Sequence, residues 1–129
     1  MQQRIKHLLK ANSLLIALFI TALIGYLSLV SLGYDRPIKI SHLDKIEHAI
    51  AYFFLGVSWL VVSTVYKTKF SKKRIVVFGC IIYGIIIEIL QETITLQRTA
   101  DILDVLADIV GVLLGLLIFN QFSKKNTVI

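Results

Sequence analysis

The sequence predicts an all-α membrane protein: a bundle of four transmembrane helices with both termini in the cytoplasm. Three observations predict it. Hydrophobic residues make up 57% of the 129-residue chain, and mean hydropathy is +0.80, where soluble domains use roughly 45–50% apolar residues. The apolar residues fall in four runs, about residues 13–34, 46–66, 75–96 and 102–122. Each is close to the roughly 20 residues a helix needs to cross a hydrocarbon core about 30 Å thick. The basic residues, finally, are distributed unequally between the two sides that four spans define.

The first run follows a basic stretch carrying Arg4, Lys6, His7 and Lys10. A signal peptide has such a charged start, but its apolar region covers about 7–15 residues and ends at a small-residue cleavage site. Residues 13–34 are longer and carry no convincing A-x-A pattern, so a retained first span is expected. Residues 35–45 are mixed in charge and hold the chain's one proline, Pro37, as an extramembrane loop would. The second run is interrupted near its start by Glu47 and His48; the third ends in Glu88, Gln91 and Glu92; the fourth opens with Asp104 and Asp108. No repeat or linker divides the chain, so a single domain over residues 1–129 is expected. Cys80 is the sole cysteine and sits within an apolar run, which excludes an internal disulfide and a multi-cysteine metal site.

Orientation follows from lysine and arginine. One side receives Arg4, Lys6, Lys10, Lys67, Lys69, Lys72, Lys73, Arg74, Lys124 and Lys125, and the other only Arg36, Lys39, Lys45 and Arg98. The positive-inside rule places the first group, and both termini, in the cytoplasm. The net charge of +6 therefore reflects topology and contact with anionic lipid; no nucleic-acid recognition motif accompanies it.

By the same assignment all eight acidic residues lie toward the outer side. Asp44, His48 and Tyr52 are spaced by four and share a helix face, as do Glu88 with Gln91 or Glu92, and Asp101 with Asp104 and Asp108. Three such faces can meet in one cleft. An ionised group at the centre of a membrane helix costs about 2.5–3.5 kcal/mol on insertion scales, so these residues are expected to face the bundle interior and to be paired.

The order and spacing of Asp44-Lys45-x-x-His48, Tyr52, Leu55-Gly56, Glu88-x-x-Gln91, Arg98, Asp104 and the pair Gly111 and Gly115 resemble the VanZ-like family of small membrane proteins. The resemblance spans residues 44–115, with one departure: Asp108 stands where that family usually has asparagine. It implies a single VanZ-like transmembrane domain in the bacterial cytoplasmic membrane and a link, through the family's namesake, to resistance against the glycopeptide teicoplanin. An acyl-transfer activity attached to some members finds no support here, since no thiol or serine has a recognisable base and orienting partner.

Several roles are open to the site residues. His48 can pair with Glu88 or Asp104, act with Glu88 as a proton-transfer pair, or serve with carboxylates as a ligand for a divalent metal, although a second histidine at i+4 is missing. Arg98 can form a salt bridge to Asp101 or Asp104 or capture a phosphate, with Lys45 beside it. Asp101 suits a helix N-cap, whereas Asp104 and Asp108 lie too deep for capping alone. Gly111-x-x-x-Gly115 permits close helix approach, within the bundle or between copies in a homo-oligomer. The leading expectation is an outer cleft of Asp44, Lys45, His48, Tyr52, Glu88, Gln91, Arg98, Asp104 and Asp108 that binds an anionic envelope lipid or precursor headgroup. A proton-coupled carrier using Glu88 and Asp108, and a non-catalytic partner subunit, are the alternatives from other classes.

Overall fold

A computed structural model describes residues 2–30, 41–66, 73–94 and 101–127. They form four helices: α1 (Gln2–Leu29), α2 (Ser41–Tyr66), α3 (Lys73–Ile94) and α4 (Ile102–Thr127). No strand occurs among the described residues. All four helices are long and apolar enough to cross a membrane. The composition explains this, because within a bilayer each backbone N–H and C=O must be satisfied inside its own segment, which a helix achieves. Helix α1 begins at Gln2 rather than near residue 13, so the basic stretch is its first turns. Charge marks where the membrane ends, but Arg, Lys and Gln are good helix formers and nothing there breaks the helix.

Helices α2 and α4 form the most closely packed pair, and α1 and α4 each pack on both α2 and α3. The α2–α4 approach is made possible by small residues. A Cβ at Gly111 would overlap the Ala49 carbonyl, and one at Gly115 would lie 3.0 Å from the Phe53 carbonyl oxygen. Both glycines of the G-x-x-x-G pair are thus turned onto α2 of the same chain.

Three cross-helix contacts fix the direction of the helices. Tyr66 at the end of α2 donates to the Lys10 carbonyl near the start of α1 (3.2 Å). Gln91 near the end of α3 donates to the Ser28 carbonyl at the end of α1 (2.9 Å). Lys45 at the start of α2 meets Asp101 at the start of α4 (3.3 Å). Neighbouring spans therefore run antiparallel, and one end of the bundle collects the ends of α1 and α3 with the starts of α2 and α4.

The core holds Ile24, Tyr52, Leu55, Cys80 and Val112. A polar knot crosses it at mid-bundle: Trp59 donates to the Thr21 hydroxyl (2.9 Å), and Tyr83 donates to the Thr21 carbonyl (2.6 Å). Leu15, Phe19, Phe54, Phe78, Leu117 and Phe122 are exposed on the outside. This is the expected surface where lipid is the solvent, because burying such side chains gains nothing there over leaving them in acyl chains.

Candidate functional site

The polar residues of α2, α3 and α4 meet at the collected end. On α2 the spacing of four puts Asp44, His48 and Tyr52 on one face, and the His48 and Tyr52 rings stack with centroids 6.5 Å apart. On α4 the same spacing presents Asp104 and Asp108 to that face. His48 Nδ1 is 2.9 Å from Asp108 Oδ1, and His48 Nε2 is 3.8 Å from Asp104 Oδ2. The sequence offers Glu88 and Asp104 as partners of His48; the close partner is instead Asp108, one turn further along α4.

Asp101 and Glu88 explain how α4 starts where it does. Asp101 Oδ1 accepts the Leu103 N–H (2.9 Å), and its carbonyl accepts the N–H groups of Asp104 (3.1 Å) and Val105 (3.4 Å). This is N-capping, as its position after the third run predicts. The Asp101 N–H in turn donates to Glu88 Oε1 (2.8 Å), which ties the end of α3 to the start of α4. Lys45 lies between Asp101 (3.3 Å) and Asp104 (3.5 Å). The starts of α2 and α4 both direct their positive dipole ends here, which favours carboxylates in these first turns.

Burial sharpens the chemistry. Asp108 is 1% exposed and Glu88 6%, yet Asp108 Oδ2 and Glu88 Oε2 have no hydrogen-bond partner among the described residues, and neither does the Tyr52 hydroxyl. Leaving such a group unsatisfied costs about 1–3 kcal/mol, and more if it is charged. Asp108 Oδ2 lies over Gly84 of α3, where an added Cβ would come within 2.8 Å of it and within 3.2 Å of the Tyr52 ring. Gly84 is absent from the residues that sequence patterning singles out; its one signal there is that it stands a turn before Glu88 on the same face. Asp44, His48 and Asp104 each offer one ligand atom, all within 4.8 Å of one another, and these residues could hold a metal ion.

Asp44, Lys45, His48, Tyr52, Glu88, Asp104 and Asp108 are thus brought to one end of the bundle. Gln91, 3% exposed, is used at least in part elsewhere, on the Ser28 carbonyl of α1. Arg98 lies outside the described residues. Glu47 and Glu92 are exposed.

A family model described as VanZ/LLP1 matches residues 3–123, nearly the whole chain. The chain belongs to the VanZ/LLP1 family. No curated protein and no solved structure matches it. In this VanZ/LLP1 protein every residue that carried the resemblance and is described, apart from Gln91 and the core residue Leu55, either faces the polar end or packs α2 against α4. The match to the family therefore coincides with a three-dimensional feature and extends beyond shared hydrophobicity.

Proposed function

We propose that this VanZ/LLP1 protein lies in the bacterial cytoplasmic membrane with both termini inside, and that its outer polar cleft binds the headgroup of an anionic envelope lipid or lipid-linked precursor. The observation that carries this reading is Lys45, half-buried at the rim between Asp101 and Asp104 and backed by the buried His48–Asp108 pair. A phosphate arriving there can replace a carboxylate as the lysine's partner, and Arg98, which the sequence puts between α3 and α4, carries a planar fork of the kind that suits a phosphate. Sequestering or presenting such a headgroup is a route by which a small membrane protein would alter susceptibility to teicoplanin, whose action is on the envelope.

The test compares Arg98→Ala and Glu88→Gln with the parent protein at equal expression. Lipid retention is read by native mass spectrometry, and teicoplanin susceptibility in a producing strain. Reduced retention and restored susceptibility are expected in both. Unchanged values for both variants remove the proposal.

A proton-coupled carrier draws support from the orphaned oxygens of Glu88 and Asp108. Against it, the described parts of the spans beyond Asp108 and Glu88, toward the other end, hold only Cys80, Tyr83 and Tyr52 as ionisable groups between the terminal turns, which makes a poor relay. Flux in proteoliposomes that is lost in Glu88→Gln would favour the carrier over headgroup binding.

A further inference from the structure

We infer that Asp44, His48 and Asp104 form a binding site for one divalent first-row cation, with Mn²⁺ and Zn²⁺ the best matches to one imidazole and two carboxylates. Two geometric facts carry this beyond a cluster of acids. His48 uses Nδ1 on Asp108 Oδ1 at 2.9 Å. That fixes the ring and turns Nε2 toward Asp104 Oδ2 at 3.8 Å. A separation of that size is too long for a hydrogen bond. It is near the distance between two ligands of one ion, about 3.4 Å for bonds of about 2.1 Å at a tetrahedral angle. A buried carboxylate on one ring nitrogen with the other nitrogen offered to a metal is the arrangement that metal-binding histidines use.

The second and independent observation is a pair of buried carboxylates beside the cluster, each with an oxygen left unsatisfied. Glu88 and Asp108 are both more than nine-tenths buried, and each keeps one carboxylate oxygen without a partner among the described residues. Both lie within electrostatic reach of His48 and Asp104. A divalent cation bound at the cluster would favour the ionised form of these buried carboxylates. With three protein ligands it would keep positions open to water or to an external oxygen ligand such as a phosphate. The site shares its cleft with the headgroup reading but does not rest on it, because the ion can be measured without lipid.

Full-length protein in detergent, stripped with chelator and titrated with Mn²⁺ under electron paramagnetic resonance and with Zn²⁺ by dialysis and elemental analysis, tests the site. About one ion per chain is expected, with affinity at least tenfold lower in Asp44→Asn and in His48→Gln and unchanged in Glu92→Gln, an exposed acid near the end of α3. Asp44 is half-buried and its asparagine variant keeps the side-chain shape, so it reports even if His48→Gln does not fold. Absence of retained ion in the parent protein overturns the inference. So does an equal affinity in Asp44→Asn, or a loss in Glu92→Gln as large as in Asp44→Asn, since either would mark general attraction to acidic groups.

Discussion

His48 Nδ1 and Asp108 Oδ1 lie 2.9 Å apart across the α2–α4 interface, and in the same interface Gly111, three residues further along α4, closes on the backbone of Ala49, the residue after His48. The ion-pairing geometry and the helix packing are therefore one structural unit. Asparagine at position 108 would keep an acceptor oxygen for the histidine and remove the charge of the orphaned Oδ2. We expect Asp108→Asn to change unfolding in detergent by less than about 1 kcal/mol, whereas Asp108→Ala, which leaves the histidine without its close partner, costs about 1–3 kcal/mol. Denaturant unfolding of the purified variants, followed by circular dichroism, checks the ordering. An asparagine variant no more stable than the alanine variant would show that the carboxylate charge itself is required.

The same unit divides what the amino-acid sequence makes legible from what it hides. Four apolar runs and three polar faces at intervals of four follow from helical periodicity alone, and so does the gathering of Asp44, His48, Glu88, Asp104 and Asp108 at one end. The pairing does not follow. Asp104 and Asp108 share a face, and which of them meets His48 Nδ1 depends on the axial offset of α2 against α4, set by Gly111 closing on Ala49. Gln91 shares the face of Glu88 by spacing, yet it bonds the backbone carbonyl of Ser28. A main-chain acceptor on another helix leaves no mark in a sequence, and neither does the close approach of Asp108 to Gly84.

Close packing at Gly111 predicts a sharp contrast between two glycines. A methyl group at Gly111 would overlap the Ala49 carbonyl and come within 3.0 Å of its carbon, so α2 and α4 must separate. Gly79 on α3 has nothing within 4 Å of its added Cβ. Gly111→Ala should cost about 1–3 kcal/mol through overpacking. Gly79→Ala should be neutral or stabilise by up to about 1 kcal/mol through helix propensity. Unfolding midpoints of the two variants decide this, and a Gly111→Ala protein as stable as its parent would contradict the α2–α4 packing described.

Tyr52 offers a test that separates structure from binding. Its ring is buried and stacked on His48, but its hydroxyl has no partner among the described residues. Tyr52→Phe keeps the packed ring and removes an unsatisfied polar group, so the unfolding midpoint should be unchanged or raised. Measured beside lipid retention, the variant is informative in a second way. Retained stability with reduced lipid retention would make the hydroxyl a ligand contact, and a lowered midpoint would show that it has a hydrogen-bond partner in the folded protein.

The proposed placement of the polar end on the outer face rests on the distribution of lysine and arginine, and it is testable without purification. With both termini cytoplasmic, the connection between α2 and α3 is inside and that between α3 and α4 is outside. In a Cys80→Ala background, a cysteine replacing Gln97 should react with a membrane-impermeant maleimide in intact cells. One replacing Lys69 should react only after the cells are permeabilised. Cys80 is buried in the core, so removing it also removes the one competing thiol. Labelling at position 69 from outside, with protection at 97, would move the His48–Asp108 cleft to the cytoplasmic face. A headgroup ligand would then have to be sought in the inner leaflet.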